Sequence, residues 1–132
     1  MEDFIDTHIS YRTAVLAKQK HFYCICPHRF LDEKTILGGW VGHAKAQPSE
    51  EDIIKYIKDP DAFLIASTQQ ILREWTEQKK NLSVTVIPKI EGKKVFYVGF
   101  ILNKSTLYMK KLDTQFLKYS DAMEDGLFNA LL

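Results

Sequence analysis

"LSVTVIPKIEGKKVFYVGFILN", residues 82–103, decides the fold. Its first part alternates: Leu82, Val84 and Val86 fall on one side of an extended chain and Ser83 and Thr85 on the other, the period of a half-buried strand. "EGKK" (91–94) carries the turn signal that reverses the chain. "VFYVGFILN" (95–103) is largely apolar at both odd and even positions, which predicts a central strand covered on both faces. "NKS" (103–105) makes the next turn, and "LYMKKLDTQF" (107–116) reads as a third strand.

Working outward, "TQQILREWTEQKK" (68–80) reads as a helix with Ser67 and Gln70 as its capping box. Ile71, Leu72 and Trp75 form its expected buried stripe, and Asn81 ends it. On the other side, Ser120 is placed to cap "DAMEDGLFNALL" (121–132), with Asp121, Glu124 and Asp125 complementing the positive helix end. Met123, Leu127, Ala130 and Leu131 make its apolar stripe. The second half therefore reads helix, strand, strand, strand, helix. The whole chain is expected to be α+β, a single compact domain over residues 1–132 with an antiparallel sheet packed by helices.

The first half is less regular. Ser10 can cap a short helix in "YRTAVLAKQKHF" (11–22) that ends near His21, with Ala14, Val15 and Lys18 on one face and Lys18 and Lys20 favouring its C-terminal end. "FYCICPHRFLDEKTILGGWVGH" (22–43) reads as strand, turn and strand, bent at "DEKT". Ser49, just after Pro48, opens a short acidic helix, "EEDIIKYIK" (50–58), whose Ile53, Ile54 and Ile57 are the one face it can bury. Asp59-Pro60 stops it, and "FLIA" (63–66) is extended.

Composition bounds what such a chain does. Its 132 residues, 45% hydrophobic, suffice for a core without disulfides or a structural metal. A net charge of +1 creates no overall field toward nucleic acid or an anionic membrane, so either partner would need a local patch. No apolar run approaches the roughly 20 residues of a membrane span, and "MEDFID" at the N-terminus is acidic where an export signal is basic. A cytoplasmic protein is expected.

The most suggestive chemistry is "CICPH" (24–28). If the segment is a strand, Phe22, Cys24 and Cys26 share one face, Tyr23 and Ile25 take the other, and Pro27 breaks the ladder before His28. A tetrahedral zinc site is composable from Cys24, Cys26, His28 and His43, or with His21, if the hairpin folds back. Two buried cysteines in an apolar core are the commoner use of this spacing, so no metal and no cofactor is expected. "ILGGWVGH" (36–43) lacks the Lys-Ser or Lys-Thr of a phosphate-binding loop, and neither a Gly-x-Ser-x-Gly nor a paired-histidine metal motif occurs. A catalytic role is therefore not expected. The glycine-rich loop sets Trp40, Val41 and His43 where a solvent-facing contact with a protein partner is expected, Trp40 as its anchor.

The pattern "YRTAVLAKQKHF", then "IASTQQILREWTEQKKNLSVTV" and a closing "YSDAMEDGLFNALL" resembles small uncharacterised proteins encoded by Bacteroidetes and by their phages and prophages. The matching positions are Ala66-Ser67-Thr68, Trp75, and the run Tyr119, Ala122, Gly126, Leu127, Ala130 and Leu131. This chain departs from the group with His21 where glycine is usual and Ser67 where proline is usual. The resemblance implies a mobile-element origin and an accessory role, with no catalytic residue to carry over. The helix-strand-strand-strand-helix order also matches the double-stranded RNA-binding domain. That domain begins its last helix with lysines for the phosphates, whereas "SDAMEDG" (120–126) is acidic, which leaves nucleic acid as the second-ranked partner.

Overall fold

The alternating and doubly apolar segments do form a meander. In the computed structural model, which describes residues 7–24, 28–30, 32–33, 36–37, 50–59 and 62–132, three long strands follow one another. The element order among the described residues is α1 (Tyr11–Gln19), β1 (Arg29–Phe30), β2 (Ile36–Leu37), α2 (Glu50–Lys58), β3 (Leu64–Ile65), α3 (Gln69–Lys80), β4 (Leu82–Glu91), β5 (Lys94–Asn103), β6 (Tyr108–Phe116) and α4 (Tyr119–Leu131). The chain is α+β with two antiparallel sheets, ordered β2-β1-β3 and β4-β5-β6. Its contacts divide it into two compact units, one of residues 1–7 with Thr68–Leu132 and one of His8–Ser67.

In the larger unit β5 lies between β4 and β6, as its apolar character on both faces predicts. Val84 pairs with Ile101 and Val86 with Gly99, and α4 packs against all three strands on the face these residues share. Val98 points to the opposite face and is only 2% exposed, so the middle of β5 is covered on both sides. The approach of α4 is close because two glycines allow it. A Cβ on Gly126 would lie 2.6 Å from Val84 Cγ1, and one on Gly99 would meet Leu112 Cδ1 at 3.0 Å. Leu72, Met123, Leu127 and Leu131 are fully buried, each contributing about 2 kcal/mol of apolar burial.

The ladder between β4 and β5 runs without interruption from Leu82–Asn103 to Glu91–Lys94. Between β5 and β6 it does not. Val98 pairs with Gln115 and Phe100 with Lys111, so Gly99 alone stands opposite residues 112–114 of β6. At the outer edge of β4, Arg73 of α3 donates from Nε to the Val84 carbonyl at 2.9 Å.

The helix ends differ from the sequence reading in instructive ways. Thr68, and not Ser67, caps α3: its hydroxyl accepts from Ile71 N–H at 3.3 Å, while Ser67 is buried. Asn81 terminates α3 in the left-handed conformation at φ 57°. The first residue of α4 is Tyr119, and the capping position, Lys118, makes no side-chain cap bond, so Ser120 already lies inside the helix. The buried stripe of α3 is Gln69, Leu72 and Thr76, with Ile71 and Trp75 only half-buried. In α4 the expected stripe of Met123, Leu127, Ala130 and Leu131 is buried.

In the smaller unit Ser10 caps α1, accepting from Thr13 N–H at 3.2 Å, and the buried face is Thr13, Ala14 and Ala17. Val15 is half-buried and Lys18 exposed. The helix ends at Gln19, close to the expected end near His21, in a Schellman arrangement. Phe22 N–H bonds the Ala17 carbonyl at 2.9 Å and His21 N–H the Lys18 carbonyl at 3.0 Å. That arrangement puts His21 at φ 66°, a conformation that suits glycine. His21 is exposed, so His21→Gly is expected to raise unfolding free energy by about 0.5–1 kcal/mol, strain relief outweighing the added freedom of the unfolded chain. Urea denaturation checks this, and a loss of stability would show that the imidazole holds a contact that outweighs the strain.

Two further readings are corrected. Residues 22–24 are not in a strand, and among the described residues the hairpin pairs Arg29–Phe30 with Ile36–Leu37. Of the face predicted for α2, Ile54 is 46% and Ile57 71% exposed, and the Ile53 side chain lies outside the described residues, as does Ser49.

Candidate functional site

Among the large apolar side chains that the fold leaves in solvent, one group follows from the geometry of the sheet. The β4–β5 hairpin is ten residues long on each side, and α4 covers only part of the face it packs on. Val84, Val86 and Ile101 are buried on that face. Two and four residues further along β4, on the same side by the period of the strand, Pro88 and Ile90 are exposed. Ile90 stands directly opposite Val95, and the two are 76% and 43% exposed. Side chains directly opposite in register form the closest cross-strand contact, and here an apolar one faces water. Lys93 and Lys94 at the turn add positive charge, while Lys89 is paired with Glu91 at 3.1 Å.

A second exposed group sits at the other end of the sheet. Leu107, Tyr108 and Met109 are 81%, 66% and 51% exposed, and Leu107 holds φ 59° in the turn between β5 and β6. The turn is built by Asn103, whose Oδ1 accepts from Ser105 and Thr106 N–H, and by Leu107 N–H donating to the Asn103 carbonyl.

The lysines do not converge into one field. Lys94 and Lys111 share the face away from α4, but Glu91 and Asp113 are interspersed with them on that face. The first turn of α4 carries Asp121, the arrangement that disfavours phosphate at a helix start.

In the smaller unit, Ala14, Lys18, Phe22, Tyr23, Phe63, Leu64 and Ile65 line a cavity of about 180 Å³. Its lining is apolar apart from Lys18, and it is below the few hundred Å³ of a typical small-molecule site. Of the metal candidates, Cys24 and His28 are half-buried, whereas Cys26 and His43 lie outside the described residues. His21, the alternative ligand, is exposed at the end of α1. No three His, Cys, Asp or Glu side chains converge on a metal position among the described residues. His28 has instead a partner that spacing could not indicate: its Nδ1 lies 3.0 Å from Nε2 of His8, twenty residues away. The predicted contact residues Trp40, Val41 and His43 all fall outside the described residues. Among the described residues no helix is long and apolar enough to cross a membrane.

No protein-family model, curated protein or solved structure matches the chain.

Proposed function

We propose that this protein is a non-catalytic interaction module that docks on another protein, an accessory role of the kind implied by its resemblance to small phage and prophage proteins. The observation that carries this reading is the Ile90–Val95 pair, exposed on the face of the sheet whose other end, at Val84, Val86 and Ile101, is buried. Leaving such a pair in water forgoes its burial energy, and a partner surface recovers it. Lys93, in the turn beside the pair, favours a partner whose contact surface is apolar at its centre and acidic at its rim. Trp40, Val41 and His43 belong to the same proposal on sequence grounds.

The test is capture of interacting proteins from cell extract by the tagged chain, quantified by mass spectrometry, with Ile90→Lys in parallel. A partner retained by the wild type should be weakened about thirtyfold or more by Ile90→Lys, the loss typical of an apolar hot spot. Because Ile90 is already exposed, thermal unfolding should move little. An unchanged set of captured proteins would defeat the reading, and a large fall in melting temperature would assign Ile90 to folding instead.

A further inference from the structure

His8 and His28 are brought together by the backbone on both of their flanks. Ile9 N–H donates to the Ser67 carbonyl at 2.9 Å, and Ala66 N–H donates to the His28 carbonyl at 3.1 Å. The two histidines are thus fastened to consecutive residues of one extended segment, immediately after β3. Their rings face each other with centroids 5.1 Å apart, inclined at 45°. Nε2 of His8 and Nδ1 of His28 are 3.0 Å apart. His8 is 9% exposed and His28 half-buried, so the pair is screened without being sealed.

We propose that His8 and His28 chelate one divalent transition-metal ion of the zinc class through these two nitrogens. Zinc–imidazole bonds of about 2.0–2.1 Å with a tetrahedral angle require the two nitrogens to lie about 3.3 Å apart. The observed 3.0 Å is a few tenths of an ångström from that separation, so the ion enters with small ring rotations and no backbone movement. Without metal the same contact needs one ring as donor and the other as acceptor. With metal, each ring turns a lone pair to the ion and carries its proton on the remaining nitrogen. Imidazole ligands select zinc, copper or nickel over magnesium and calcium, which prefer oxygen. Two protein ligands leave the other coordination positions to water, consistent with the partial exposure of His28. This site is distinct from the four-ligand arrangement considered above, because it uses His8 and needs neither Cys26 nor His43.

The experiment uses the full-length chain stripped with chelator and titrated with Zn2+. At a hundredfold excess over the dissociation constant, the melting temperature should rise by roughly 5–10 °C. Mg2+ should leave it in place. His8→Gln and His28→Gln should each abolish the zinc response, and His21→Asn, at an exposed histidine, should keep it. Should either glutamine variant fail to fold, proton NMR of the wild type decides. The two imidazoles joined by an inter-ring Overhauser effect must be the ones whose signals move with zinc. A wild type whose melting and imidazole signals ignore Zn2+, or a response removed by His21→Asn alone, would overturn the proposal.

Discussion

Gly126→Ala is expected to destabilise the protein by about 2 kcal/mol, although helix propensity alone predicts the opposite sign. Gly126 is in the interior of α4, where alanine is intrinsically favoured by about 1 kcal/mol. Its Cβ, however, would fall 2.6 Å from Val84 Cγ1, about 1 Å inside the optimal carbon–carbon separation. Val84 is fully buried and β-branched, so its single side-chain torsion is restricted and the surrounding core resists its rotation. The helix must move off the sheet, or Val84 must push into β4. Overpacking of this severity costs about 3 kcal/mol, and subtracting the propensity gain leaves the net loss stated. The decisive measurement is a double-mutant cycle by urea denaturation. Val84→Ala removes the obstructing methyl, so in that background Gly126→Ala should cost close to nothing or become stabilising, with a coupling of about 2–3 kcal/mol. Additive losses would show that the close approach of α4 is not held by this contact.

Gln69→Ala is expected to cost about 3 kcal/mol. Gln69 is the first residue of α3 and only 1% exposed. Its side-chain amide donates to the Ser120 carbonyl at 2.9 Å and to Glu124 Oε1 at 3.3 Å, so one buried group ties the start of α3 to the first two turns of α4. The bond to a carboxylate is worth about 1.5–3 kcal/mol and the one to a carbonyl about 1 kcal/mol. Alanine loses both and leaves a void, whereas it also removes Gln69 Oε1, which has no hydrogen-bond partner among the described residues. Gln69→Leu fills the void and removes the same oxygen, so it should cost about half as much. Urea unfolding of the two variants separates the contributions. Equal losses would assign the whole effect to hydrogen bonding, and a loss below about 0.5 kcal/mol for alanine would show that the tie carries no weight.

The strands were legible because their signals are local. Alternation through Leu82, Val84 and Val86, the turn at residues 91–94 and the doubly apolar run after it each need only neighbouring residues, and the order β4-β5-β6 follows from short turns. Caps were legible to within a residue or two. Ser67 and Thr68 carry equivalent hydroxyls, and the choice between them is made by the backbone, whose Ser67 carbonyl accepts from Ile9 while Thr68 opens the helix. Gln69 was missed as a core residue because a glutamine in a polar run reads as surface, and its partners in α4 are 51 and 55 residues away. The exposed Ile90–Val95 pair was also out of reach. Its residues continue the same alternation as Val84 and Val86, and only the extent of α4 across the sheet distinguishes them. The His8–His28 contact spans twenty residues with no motif spacing, and it exists because both flanks are bonded to the segment Ala66–Ser67.

A three-stranded sheet has two open rims, and each is a template on which a foreign strand can grow. Here both rims are spoiled by different means. Lys104 N–H bonds the Asn81 carbonyl and so sets the phase of the ladder, which turns the Val84 carbonyl outward, away from β5. Arg73 takes that carbonyl, so an incoming strand at β4 meets an acceptor already engaged beneath a helix. At β6 residues 112–114, two more than the ladder requires, break the spacing of outward-pointing groups, and no regular strand can match them along its whole length. The hairpin can therefore offer an apolar side-chain face to solvent while its backbone edges give fibril growth no continuous ladder to copy.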